Sequence, residues 1–160
     1  MSMEIITGKF NTGGHPIDPV LIHRSLYRLL AYVFAYPEVA SYAESLAPIA
    51  GRADEEISHT LISIAAYLRV HNDALAQRPS TGFCGELIRG TEDNFENLTL
   101  REACNKLIHA TGLGYTFDSL AERGRARRPL ITASGTKDGE EWVAHIDVVQ
   151  FAHAALAAVG

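Results

Sequence analysis

Pro129 to Asp147 reads PLITASGTKDGEEWVAHID. Asp138-Gly139 lies between two stretches that alternate apolar and polar residues. That is a strong hairpin signal, because the matching two-residue turn needs positive φ at both central positions. Placing the dipeptide at the tip sets Ala133 opposite Ala144 and Ile131 opposite Ile146. Ile131, Ala133, Trp142, Ala144 and Ile146 then share one face, and Thr132, Ser134 and His145 share the other. A two-stranded hairpin is marginal alone, so the Trp142 face must pack on helices or on a third strand, for which Tyr115 to Phe117 is the candidate.

The rest of the chain reads as helix. Asp18-Pro19 is an N-cap followed by proline at the first helical position. Ile22, Leu26, Leu29, Leu30 and Val33 then repeat at helical spacing, which predicts a helix from Pro19 to Tyr36, stopped by Pro37. A second helix is expected from Pro37 to about Ala47. A third runs from Glu55 to about Gln77 with Ile57, Leu61, Ile64, Ala65, Leu68 and Leu75 along it. Thr99 and Glu102 form a T-x-x-E capping box that opens a fourth, Leu100 to Ala110, ended by Gly112 and Gly114. Asp147 caps the last, which carries Phe151, Ala155, Leu156 and Val159. Residues 78–97, RPSTGFCGELIRGTEDNFEN, have little periodicity and read as a long loop, a feature that is often either functional or a mis-assigned element. The expected fold class is therefore mainly α: a helical bundle of about five helices with a C-terminal β-hairpin at about 129–146. Residues 1–17 read as a flexible N-terminal arm, and 18–160 as a single helical domain.

The chain has 160 residues, 47% of them hydrophobic and 21% charged, which suits a globular protein able to bury its own core. The formal charge of −5 argues against broad attraction to nucleic acid, though not against a local basic patch. Cys84 and Cys104 follow no disulfide or metal pattern and read as reduced thiols, which points to a cytoplasmic protein. No signal peptide is expected. Leu29 to Tyr36 is the longest strongly apolar run, far short of the roughly 20 residues of a membrane span, so no membrane association is expected.

The chemistry-bearing stretch is Leu98 to Ala110, LTLREACNKLIHA. A step of four residues drifts only about 40° around a helix, so Arg101, Asn105 and His109 form a slanting row. Arginine offers a fixed fork of donors suited to phosphate, and histidine can carry a proton near neutral pH. Asparagine can orient either, or contact a base or ribose. That set meets the needs of metal-independent RNA cleavage: a base for the 2′-hydroxyl and a cation for the developing phosphorane charge. It also meets the needs of a structural brace, since a histidine in the last turn favours the helix dipole and Arg and Asn can tie neighbouring loops. Both readings stand at this level.

An all-helical core with Arg101 and His109 on one late helix resembles the HEPN superfamily of small helical bundles, many of them ribonucleases. The resemblance spans roughly residues 18–110. The family's Arg and His usually have four to six residues between them, and here EACNKLI makes seven. LREACNKLIHA also resembles strings in uncharacterised bacterial proteins. The HEPN resemblance implies a metal-independent ribonuclease or an RNA-binding relative, with Arg101, Asn105 and His109 as catalytic residues and RNA as partner. The alternative is a non-enzymatic interaction or accessory protein with a protein partner, in which the same row is structural.

Other signals are weaker. Arg123, Arg125, Arg127 and Arg128 in RGRARR can contact phosphates or form a solvated loop. Cys84 lacks any signature of a nucleophile. The remaining histidines make no metal-binding pattern, and no GxGxxG or P-loop occurs, so neither a metal nor a cofactor is expected. The first helix carries Tyr27, Tyr32 and Phe34 outside its main apolar stripe and so wants burial on more than one side, which predicts a homodimer.

Overall fold

A computed structural model describes residues 18–74, 82–90, 94–117 and 128–160. The element order is α1 (Pro19–Ser41), α2 (Ala43–Ala74), β1 (Phe83–Arg89), β2 (Phe95–Thr99), α3 (Leu100–His109), β3 (Gly112–Phe117), β4 (Pro129–Lys137), β5 (Glu140–Asp147) and α4 (Val148–Val159). The strands pair antiparallel in one sheet, ordered β2-β1-β5-β4-β3. This α+β architecture corrects the expected mainly α bundle: the described residues hold four helices and five strands. The expected N-terminal arm, and all of RGRARR before Arg128, lie outside the described residues.

The β4–β5 hairpin turns at Asp138 and Gly139, both at positive φ, with Ala133 opposite Ala144 and Ile131 opposite Ile146. The third strand expected from Tyr115 to Phe117 is present as part of β3, and a strand that was not expected joins at the other edge. Besides β3 on one side, β1 pairs with β5 on the other, setting Leu87 against Ala144. The supposed loop 78–97 therefore contains β1 and most of β2. Its strand character is masked by a bulge between Phe83 and Gly85. The bulge brings Cys84 and Leu87 to the same buried side although they are an odd number of residues apart. Gly85 sits there at φ +151, where a Cβ would collide with the His145 carbonyl.

α3 and α4 lie on the inner face of the sheet, and α1 and α2 close the core behind them. Leu87, Ile131, Ala133, Trp142, Ala144 and Ile146 meet Leu100, Leu107, Val148 and Phe151 there. The opposite sheet face carries Glu86, Ile88, Thr132, Ser134, Val143 and His145, none of them buried. Asp147 caps α4 by accepting hydrogen bonds from the backbone N–H of Val149 and Gln150, both at 3.0 Å, and its other oxygen pairs with Arg128 at 3.3 Å.

Three expected N-terminal helices are two. α1 continues through Pro37, which forfeits one backbone hydrogen bond to Val33. Packing of the partly buried Tyr32 and Tyr36 against the core offsets that loss. The irregularity falls instead at Leu46 in α2, at φ −117 and ψ 22, two residues before Pro48. No helix among the described residues is long and apolar enough to cross a membrane.

Candidate functional site

α3 is built as the sequence implies at its start: the Thr99 hydroxyl accepts a hydrogen bond from the Glu102 N–H at 3.3 Å. Leu100, Ala103, Cys104 and Leu107 turn inward and are buried. The neighbouring face, Glu102, Asn105, Lys106 and His109, follows i, i+3, i+4, i+7 spacing and lines a cleft of about 540 Å³. The other walls are Arg69 of α2, Arg89 at the end of β1, Thr136 and Lys137 of β4, and Trp142 of β5.

Trp142 forms the floor. Its indole lies over Gly135 of β4, directly opposite in the pairing, where a Cβ would come within 2.5 Å of the ring. The Lys106 ammonium stands 4.2 Å from the Trp142 ring centroid, a cation–π contact. Lys106 is only 8% exposed. Burial lowers its pKa below the ordinary lysine value, and the positive charges of Arg89 and Lys137 add to the effect. Arg89 reaches Glu96 at 3.7 Å and Glu102 at 3.5 Å. The Glu102 carboxylate, assigned to the capping box from sequence, thus lies against Arg89 and braces the cleft wall. The lining holds four basic side chains, Arg69, Arg89, Lys106 and Lys137, and one acidic one, Glu102, in a chain of net charge −5. A smaller recess of about 190 Å³ adjoins it across Arg89, Lys137 and Trp142, and there Asp138, Glu140 and Glu141 supply the opposite charge.

The structure brings two of the three sequence-predicted residues to this cleft. Asn105 is half-buried in the wall, and His109 is exposed at the rim. Arg101 is exposed and is not part of the lining. A four-residue step drifts by about 40°, and that drift carries Arg101 off the face while Lys106 stays on it. Lys106 was legible, one position along from Asn105. Arg69, Arg89, Lys137 and Trp142 were not, because only the sheet brings them there.

A second polar cluster lies toward the other end of α2. The hydroxyls of Ser58 and Tyr115 are 2.6 Å apart, and Tyr115 donates to the Asp54 carbonyl at 3.4 Å, which leaves Ser58 as donor in the shorter bond. The Tyr36 and Tyr115 rings meet at 6.0 Å. Burial pushes both phenols above their ordinary pKa, and the Asp54 charge pushes in the same direction. Cys84 and Cys104 are free and buried. Desolvation pushes each thiol up to about 12, so neither is a thiolate nucleophile near neutrality.

The chain matches no protein-family model, no curated protein and no solved structure.

Proposed function

We propose that this protein binds the phosphate of a small phosphorylated ligand in the α3 cleft. The observation that carries the reading is the convergence of Arg69, Arg89, Lys106 and Lys137, from four different elements, on one recess. Like charges held together in a partly desolvated site repel one another, and an anion bound among them relieves that repulsion. Arginine forks suit phosphate oxygens, and the Thr136 hydroxyl and Asn105 amide add neutral donors. The volume of about 540 Å³ falls among small-ligand pockets. A long polyanion fits less well, because Asp138, Glu140 and Glu141 flank the recess and the whole chain is acidic.

RNA cleavage is the second reading, favoured by one observation: the His109 imidazole is exposed at the rim, beside Asn105 and the cationic wall. A base there could take a 2′-hydroxyl proton while the cations stabilise the phosphorane.

Calorimetry with a nucleoside 5′-monophosphate, the matching unphosphorylated nucleoside and inorganic phosphate tests the first reading. Binding of the monophosphate and phosphate is expected, weakening with salt, with none of the nucleoside. Lys106→Met should lower affinity roughly tenfold, the scale of one lost charge-assisted contact. Equal affinity in that variant, or no binding of either phosphate, overturns it. Incubation of labelled RNA with wild type and His109→Ala tests the second: a wild type that leaves RNA intact ends the cleavage reading and leaves the first untouched.

A further inference from the structure

α1 presents a second feature, unrelated to the cleft. Its core side is Ile22, Leu26, Leu29 and Val33. Its solvent side carries Val20, Tyr27 and Phe34, which are 59%, 75% and 50% exposed, and the line ends at Tyr42, 60% exposed, in the C-cap position. Exposed apolar residues scattered singly are ordinary. These are not scattered: Val20, Tyr27 and Phe34 recur every seven residues, an interval over which a helix drifts only about 20°. They make one stripe along a helix that runs about 33 Å from Val20 to Tyr42 at 1.5 Å per residue.

Between them on the same face lie Arg24, Ala31 and Glu38, also exposed and also seven apart. Ala31 is the smallest of the row and stands at its middle. Arg24 and Glu38 stand seven residues to either side, about 10 Å along the axis. A two-fold axis through Ala31 therefore places Arg24 of one chain against Glu38 of the other, twice. The same operation brings Tyr27 beside Phe34, and Val20 beside Tyr42. The small residue at the centre lets the two backbones approach, and the aromatic residues flank the crossing.

We infer that α1 is the interface of an antiparallel homodimer, with a second copy of this chain as the occupant of the stripe. Charge decides the orientation. The exposed side of the first half carries His23, Arg24 and Arg28, and that of the second half carries Glu38. A parallel pair would set Arg24 on Arg24 and Glu38 on Glu38, and like-charge juxtaposition is costly at an interface. The antiparallel pair opposes unlike charges and is self-complementary, as a two-fold interface must be.

Sedimentation velocity on the full chain, from about 1 to 100 µM, tests this, since association at such a helix face should fall in the micromolar range. Wild type should be dimeric at the upper end. Phe34→Glu should be monomeric throughout. Arg24→Glu and Glu38→Arg should each weaken the dimer about tenfold, and the double exchange should recover it to within about threefold, because the pair is remade with its signs reversed. All three positions are exposed, so circular dichroism should be unchanged. A wild type that stays monomeric at the top concentration overturns the inference. So does a dimer that ignores Phe34→Glu, or a double exchange no better than either single variant.

Discussion

α2 serves two polar clusters, and they behave in opposite ways. At one, Ser58, Tyr115 and the Asp54 carbonyl pass a chain of hydrogen bonds among themselves under the Tyr36 ring. Eleven residues on, about 17 Å along the helix, Arg69 joins Arg89, Lys106 and Lys137 around an open recess. The first cluster uses its hydroxyl donors internally and leaves Asp54 Oδ1 buried without a hydrogen-bond partner. The second gathers basic side chains around Lys106, whose pKa is lowered first by burial and then by the charges of Arg89 and Lys137, with Glu102 and Glu96 opposing them. The difference separates a brace from a binding site better than residue types do, since each contains groups found in either.

The largest expected effect falls on the side chain that joins the open cluster to the core. Trp142→Ala removes the cleft floor and a buried indole together, and should cost about 3–5 kcal/mol in denaturant unfolding. A loss under about 1 kcal/mol would mean that the indole is not packed against the core.

Alkaline titration should separate the two thiols from Lys106 by sign, because burial disfavours the thiolate in one case and the ammonium in the other. The Cys84 and Cys104 thiols are raised from 9.0 to about 12. Below pH 9 they are protonated in both folded and unfolded chains. Between about 9 and about 12 the unfolded chain gives up protons that the folded chain keeps, so stability falls as pH rises. Lys106 is lowered, so its charged form is disfavoured in the fold, and its contribution improves as pH rises through its depressed pKa toward 10.5. Urea midpoints measured from pH 8 to 11 should therefore decline. The decline should flatten in the Cys84→Ala/Cys104→Ala double variant and steepen in Lys106→Met. An unchanged slope in the double variant would remove the thiols as its cause.

A direct contrast comes from one variant in each cluster. Tyr115→Phe leaves Ser58 without its acceptor and should cost about 1–2 kcal/mol of stability while leaving phosphate affinity within about twofold. Lys106→Met should do the reverse, weakening phosphate roughly tenfold while changing stability by less than about 1 kcal/mol, because it relieves repulsion and keeps the packing on Trp142. Matching profiles from the two would erase the distinction between the clusters.

How far the sequence discloses all this depends on the residue pattern of each element. The β4–β5 register is legible because Asp138-Gly139 fixes the turn and the alternation on both sides agrees with it. α3 is legible because Thr99 and Glu102 mark its start. β1 is not, since the Gly85 bulge breaks the alternation between Cys84 and Leu87, and β2 buries only Leu98. Losing those two strands turns an α+β fold into an apparent helical bundle and hides Arg89. Pro37 misleads in the other direction, because a proline that ends an isolated helix is overridden where both flanking turns are packed. The site is half legible for the same reason: Asn105 and His109 belong to a local helix pattern, whereas Arg69, Lys137 and Trp142 meet them only through tertiary structure.

The smallest expected effect tests how the α3 face is drawn. The slanting row read from sequence includes Arg101 with Asn105 and His109, while the cleft lining takes Lys106 in its place. Arg101 is exposed in the first turn of α3, two residues past the Thr99 cap. Arg101→Ala should bind a nucleoside monophosphate within about twofold of wild type, since its side chain lies outside the recess lining and solvent screens its charge from a ligand there. Measured beside Lys106→Met in the same titration, the pair gives a yes-or-no answer. If Arg101→Ala weakens binding as much as Lys106→Met does, the ligand reaches across α3 to the exposed row, and the recess alone does not define the site.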